Sequence, residues 1–321
     1  MTQQRRADGS LRHLLTLEGL ARPELEALLE RAQHFVRRAG EPAPQSTALA
    51  GVTVANMFTE PSTRTRVSFE LAAKRLGADV VNLEVQLSSR VKGESMLDTV
   101  FTLEALHVDV FVLRDAEVGV PQMVADSVAP HVSVLSAGEA HVSHPTQGLL
   151  DALTVLQKKG RCDDLSIAIV GDIHHSRVAR SACHAFQTLG VRDLRIIAPD
   201  ALMPDATEFK GCARSSNIAQ GIAGCDVVMM LRIQKERFAN TAIPAGDDYF
   251  REFGLTAGRL TRAKPDAIVM HPQPMNRGVE IESAVADGPQ SAIRLQVANG
   301  VAVRMAALEV LAAPLAARQR R

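Results

Sequence analysis

The chain has 321 residues, 46% of them hydrophobic and 22% charged, with 36 Lys+Arg against 36 Asp+Glu. That length exceeds one ordinary core and fits two domains, so a bilobed globular protein is expected. The even charge balance excludes a general field for nucleic acid or an anionic membrane, and any anion site must be local.

The N-terminal MTQQRRADGS carries no apolar signal core. The longest apolar runs, such as Ala223 to Leu231, are interrupted or fall short of the roughly 20 residues of a membrane helix. A cytoplasmic protein is therefore expected. Cys162, Cys183, Cys212 and Cys225 have no C-x-x-C spacing and no His-x-x-x-His partner. This points to neither a disulfide framework nor a metal site, and the thiols read as reduced packing residues.

Behind Pro23, the residues Leu25, Leu28, Leu29, Ala32, Phe35 and Val36 recur at helical spacing, which predicts an amphipathic first helix. Apolar β-rich runs follow at Val52 to Phe58, Val80 to Leu83, Val108 to Leu113 and Val132 to Leu135, separated by helical periods at Val67 to Leu76 and Met96 to Leu106. Such alternation predicts a parallel sheet with helices on both faces. Pro145 to Leu156 reads as one long helix. The alternation then restarts with Ile167 to Val170, Leu194 to Ile197, Val227 to Leu231 and Ala267 to Met270. The fold class is thus α/β, two doubly wound parallel-sheet domains linked by long helices. The expected bounds are 1–150 and 151–290, with an Ala- and Leu-rich helix at 291–315 packing back on the first domain.

The most informative stretch is Phe58-Thr-Glu-Pro-Ser-Thr-Arg-Thr-Arg66. A buried strand runs through Glu60 into Ser62, Thr63, Arg64 and Thr65 and then into a helix. Unpaired backbone N–H groups and the positive end of the helix dipole meet there, and Arg64 adds a fork for phosphate oxygens. A simple N-cap would need only one of these hydroxyls. Val110 to Arg114 ends a strand with an arginine at the sheet edge where open α/β sheets gather ligands. His144-Pro145-Thr146-Gln147 opens a helix. Ile169-Val170-Gly171-Asp172 holds only one glycine where a dinucleotide loop needs three, so a nicotinamide dehydrogenase is disfavoured. His174 and His175 adjoin in sequence and no Cys, Asp or Glu completes a metal set around them.

These motifs, in this order from about Leu14 to Leu311, resemble the aspartate and ornithine carbamoyltransferases. The resemblance implies a carbamoyl-phosphate-binding first domain, with Ser62, Thr63, Arg64, Thr65, Arg114, His144 and Gln147 on that substrate. Ser88 and Lys92, within Ser88-Ser89-Arg90-Val91-Lys92-Gly93-Glu94-Ser95, look like the loop that completes a neighbouring subunit's site. It also implies an aspartate-binding second domain, with Arg177, Arg232 and Gln234 on the two carboxylates, Lys92 contributing from the neighbour, and Glu60 with Arg177 and Arg237 in domain closure. The segment His271-Pro272-Gln273-Pro274 is similar to the family loop whose carbonyls, at Pro272 and Gln273, accept hydrogen bonds from the carbamoyl amide. Gln273 departs from the small or apolar residue more usual there. Ornithine enzymes carry His-Cys-Leu-Pro in this loop, and the absence of that cysteine favours aspartate. What the resemblance further implies is catalysis by Arg64, Thr65, Lys92, Arg114 and His144, no cofactor, a role in pyrimidine biosynthesis, and a homotrimer with shared sites. The trimer could join regulatory or dihydroorotase-type subunits. The rival readings are an ornithine enzyme and an inactive scaffold of the same family.

Overall fold

The computed structural model describes residues 4–37, 40–84, 95–233 and 246–319. The chain divides into two compact units, one running to Leu149 and resuming at Asn299, the other spanning Leu150–Ala298.

In the first unit α1 (Arg22–Phe35) precedes β1 (Thr53–Phe58), α2 (Thr63–Arg75), β2 (Asp79–Glu84), α3 (Met96–Ala105), β3 (Val110–Asp115), α4 (Val120–Ser127) and β4 (Ser133–Glu139). The strands form a wholly parallel sheet in the order β2-β1-β3-β4. Helices cover a parallel sheet on its faces, so its strands are buried on both sides and read as continuous apolar runs. Accordingly Val54, Ala55, Met57, Val110, Phe111 and Val112 are each at most 1% exposed. Val100 and Leu103 of α3 and Val124 of α4 join Phe111, Leu113 and Val134 in one core cluster. Each such side chain contributes about 2 kcal/mol by leaving water.

The long helix α5 (Pro145–Lys159) leads out of this unit. The second unit contains β5 (Ser166–Val170), α6 (Arg177–Thr188), β6 (Asp193–Ile197), β7 (Ala213–Ser215), α7 (Ile218–Gly221), β8 (Val227–Met230), α8 (Gly246–Phe253), α9 (Ala257–Leu260), β9 (Ile268–Met270) and α10 (Ser283–Ala286). Its parallel sheet has the order β7-β6-β5-β8-β9.

The last helix is α11 (Ile293–Gln319). Its segment Ile293–Leu315 is long and apolar enough, by length and composition, to cross a membrane. It is broken by Arg294, Arg304 and Glu309, yet the average stays apolar. Two thirds of its most apolar window (67%) is buried inside the protein, so its apolar surface goes into the core. Within the first unit, Glu309 pairs with Arg31 of α1, the Arg304 guanidinium lies 5.0 Å over the Phe69 ring of α2, and the Leu311 carbonyl accepts from Arg6 at 2.8 Å.

Candidate active site

Parallel strands all deliver their carboxyl ends to one edge of the sheet, and a ligand crevice opens where consecutive strands diverge to opposite sides. In the first unit that point lies between β1 and β3, because β1 leads outward to β2 while β3 leads the other way to β4. Phe58 and Arg114 are register partners there. The Thr59 backbone N–H and hydroxyl both donate to the Arg114 carbonyl, at 3.0 and 3.1 Å, which ties the two strand ends together.

Glu60 and Ser62 follow β1 directly. Ser62 is the N-cap of α2 but makes no side-chain cap hydrogen bond, unlike Ser95 of α3 and Ser176 of α6, whose side chains accept from Asp98 and Ala179 N–H. A hydroxyl in the cap position that does not cap leaves N–H groups of the first turn pointing outward. Thr63, Arg64 and Thr65 make up that turn, which contains no acidic residue. Arg64 is exposed and Thr65 half-buried. The Arg114 guanidinium reaches the same edge, donating to Ala137 O at 3.2 Å and pairing with Glu60 at 3.1 Å. The family resemblance assigns Glu60 to domain closure; in this structure its carboxylate lies on Arg114, inside its own unit.

His144 immediately precedes α5 and is 4% exposed. Its place is set by the neighbouring turn, where Glu139 N donates to Ser143 O at 2.8 Å, and by its own carbonyl, which accepts from Gln147 N at 2.9 Å. Gln147 is buried on the first turn of α5. Below this edge Glu139 sits beside Asp115. Burial raises the Glu139 pKa, the Asp115 charge adds to the rise, and a Gly119 N–H bond at 2.6 Å opposes it.

The second unit repeats the arrangement. Its divergence point lies between β5 and β8. The segment after β5 holds Gly171, Asp172 and the α6 N-terminus, whose first residue is Arg177; the segment after β8 holds Leu231 and Arg232. Gly171 has φ +136°, and a Cβ there would lie 3.0 Å from both Cβ and O of Leu231, so only glycine lets these two strand ends approach. Asp172 is fully buried and its carboxylate accepts from His175 N at 3.1 Å. Arg177 and Arg232 are both half-buried, one on each side of the crevice point.

After β9 comes the Pro272–Gln273 turn. Gln273 takes φ +59°, an uncommon conformation for a residue with a side chain. Its N–H donates to His271 Nδ1 at 2.9 Å. Because Nδ1 accepts, the other nitrogen of the neutral ring is the donor, and Nε2 bonds the buried Glu280 carboxylate at 3.2 Å. The same carboxylate oxygen accepts from Asn276 N. His271 N donates to Gln296 Oε1 at 2.8 Å, and Gln296 donates onward to Asp151 at 2.8 Å. Tyr249 packs at 1% exposure, and burial first, then the charges of Glu280 and Asp172, push its phenol pKa up. The side chains of His271, Glu280, Gln296 and Asp151 form a network that no sequence motif announces. Their partners are 9, 25 and 145 residues apart in the chain.

The structure thus gathers Glu60, Ser62, Thr63, Arg64, Thr65, Arg114 and His144 along one sheet edge of the first unit, and Arg177, Arg232, Pro272 and Gln273 along one edge of the second. Ser88, Lys92, Gln234 and Arg237 lie outside the described residues.

Residues 12–157 match the aspartate/ornithine carbamoyltransferase carbamoyl-P binding domain, and residues 163–311 match the Asp/Orn binding domain of the same family. Among solved structures, an aspartate transcarbamoylase from Trypanosoma cruzi in complex with carbamoyl phosphate and aspartate is 31% identical. The match covers 94% of this chain and 96% of that one, with a TM-score of 0.82. The same parasite enzyme with N-(phosphonacetyl)-L-aspartic acid gives 30% identity over 97% and 98% of the chains at TM-score 0.82. Ornithine carbamoyltransferase from Pyrococcus furiosus is also similar, at 29% identity over 94% and 96% and the same TM-score. With both domains matched in order along nearly the whole chain, this protein belongs to the aspartate/ornithine carbamoyltransferase family.

Proposed function

We propose that the chain transfers the carbamoyl group of carbamoyl phosphate to L-aspartate, giving N-carbamoyl-L-aspartate and phosphate for pyrimidine biosynthesis. The observation that carries the choice of amine is the pair of arginines, Arg177 and Arg232, flanking the divergence point of the second sheet. Aspartate offers two carboxylates, and forked guanidiniums recognise carboxylates bidentately. An ornithine site would instead need an acidic partner for the terminal ammonium.

In this reading carbamoyl phosphate binds to Ser62, Thr63, Arg64 and Thr65, with its phosphate on the α2 N-terminus. Arg114, Thr65 and His144 hold the carbonyl oxygen, and Gln147 lies near the amide. The backbone carbonyls of Pro272 and Gln273 accept from the carbamoyl NH2 and the incoming amine. Aspartate docks on Arg177, Arg232 and Gln234, and its amine attacks the carbonyl carbon. The tetrahedral oxyanion is stabilised by donors already in place, and phosphate leaves with a proton. Positioning and electrostatics supply the rate, so no nucleophilic side chain takes part. A homotrimer completes each site with Ser88 and Lys92 of a neighbour.

The test is initial velocity of the purified chain with carbamoyl phosphate and either aspartate or ornithine, read as ureido product. Product with aspartate and none with ornithine is expected. The reverse would assign the ornithine reaction, and no product with either amine would favour the scaffold reading.

A further inference from the structure

Outside the catalytic edges, the second unit holds two thiols in contact. Cys183 lies on the inner face of α6, 3% exposed, with its sulfur 3.8 Å from that of Cys212, within reach of an S–H···S hydrogen bond. Cys212 sits just before β7 and is half-buried. The turn that carries it is fastened to α6 at several points. Arg180 pairs with Glu208 and lies 5.2 Å over the Phe209 ring, and Gln187 donates to Lys210 O at 2.6 Å and to Cys212 Sγ at 3.7 Å. The sulfurs are therefore held as neighbours by the contacts of Arg180 and Gln187 with this turn as well as by the bond that Gln187 donates to the Cys212 sulfur.

We infer that Cys212 and Cys183 form a peroxide-reactive pair, in which Cys212 is oxidised first and Cys183 resolves it to an intramolecular disulfide. The two thiols differ in the way this requires. The Cys183 thiol, donating to the Cys212 thiolate, and after it the Arg214 charge lower the Cys212 pKa against the opposing effect of burial, whereas Cys183 is raised by the same bond and by burial. The thiolate is the nucleophile, so an accessible sulfur with a lowered pKa beside a resolving cysteine is the arrangement that reacts. Cys225 provides an internal contrast, since it is fully buried and burial pushes it up to about 11.

The chemistry balances with hydrogen peroxide as oxidant. The Cys212 thiolate attacks one peroxide oxygen, the S–O bond forms as the O–O bond breaks, and the departing hydroxide takes a proton to become water. Cys183 sulfur then attacks the sulfenic sulfur. An S–S bond forms, the S–O bond breaks, and the leaving hydroxide carries off the Cys183 proton as a second water. Two thiols lose two electrons in total and one peroxide gains them. Closure asks the sulfurs to move from 3.8 Å to about 2.0 Å.

The experiment treats the full chain with a small excess of hydrogen peroxide, then blocks free thiols and maps peptides under non-reducing conditions. A Cys183–Cys212 peptide pair that dithiothreitol separates is expected, with Cys162 and Cys225 still alkylated. In the Cys183→Ala chain, Cys212 should accumulate as a dimedone-reactive sulfenic acid. In the Cys212→Ser chain, no crosslink should form. Recovery of Cys183 and Cys212 both alkylated after peroxide, or crosslinks dominated by Cys162 or Cys225, would overturn the inference. Because the mapping is done on the unsubstituted chain, poor folding of either variant does not obscure the outcome.

Discussion

Arg64 stands exposed on the first turn of α2, outside the hydrophobic core. Replacing it with alanine should therefore leave thermal unfolding within a degree or two of the parent while lowering kcat/KM by about 100-fold or more, on the order of 3 kcal/mol of transition-state stabilisation. Near-normal turnover in Arg64→Ala would remove the phosphate cradle from the mechanism. His13 is the opposite kind of residue. Its ring is 1% exposed, Nδ1 accepts Val134 N–H at 2.9 Å, and burial, then Arg12 and Arg6, push its pKa down to about 3 from 6.5. Above the unfolded value both states hold the ring neutral, so no proton is exchanged on folding. As pH falls below it, only the unfolded chain takes up the proton, and stability drops by about 1.4 kcal/mol per pH unit until the folded ring titrates. Urea unfolding at pH 7 and 5.5 should show this loss in the parent and a smaller one in His13→Asn, whose amide oxygen can still accept from Val134; equal losses in both would remove His13 from the acid response. The sequence shows where such a residue lies when it falls at the end of an apolar run, as Arg114 does near the end of β3, while the role proposed for it comes from the family resemblance. It gave nothing for Glu280 or Gln296, whose function is to hold the His271 ring and its backbone from distant points in the chain.

Elements were legible in proportion to their apolar content. The strand expected at Val52 to Phe58 forms over Thr53–Phe58, and the one expected at Leu194 to Ile197 over Asp193–Ile197. β4 runs on through Ser136, Ala137, Gly138 and Glu139, a polar and small-residue extension that is nevertheless buried throughout, since its pairing with β3 continues past a register shift to Asp115. β7 left no signal because it is a three-residue strand, largely in solvent, that among the described residues pairs with β6 at the edge of the sheet. α4 escaped notice as a helix of eight residues that starts behind Gly119 at φ 88°. Strand ends are also where the fold is least tolerant. Gly171 directly follows β5 with φ +136° and with Leu231 against it, so Gly171→Ala combines a strained backbone with a contact at 3.0 Å. It should cost about 2–4 kcal/mol of folding stability. Chemical denaturation would measure it, and a loss under about 0.5 kcal/mol, the range of an ordinary surface change, would show that the close approach is not required. The same substitution should raise KM for aspartate, because Arg232 adjoins Leu231 in the chain.

At the scale of the molecule, each unit solves the same problem with the same device: a parallel sheet whose strand order reverses, a crevice at the reversal, and an arginine on a strand end or a helix start beside it. Neither cradle contains every group the proposed reaction requires, since the resemblance assigns Lys92 to the site of a neighbouring copy. That assignment has a quantitative consequence. In a cyclic trimer each site takes Arg64 from one chain and Lys92 from the next. Neither Arg64→Ala nor Lys92→Ala homotrimers would contain an intact site. A mixed trimer of either composition contains one site built from the unaltered Arg64 of one parent and the unaltered Lys92 of the other, together with one doubly damaged site. Random assembly from equal amounts yields mixed trimers about three quarters of the time, so about one quarter of wild-type activity should return on mixing under conditions that exchange subunits. The assay is ureido product after dissociation and reassociation of differently tagged chains, with hybrid formation followed by the tags. Hybrids that form and stay inactive would mean that Arg64 and Lys92 act from the same chain, whereas full activity in the Lys92→Ala homotrimer itself would mean that Lys92 does not act at all.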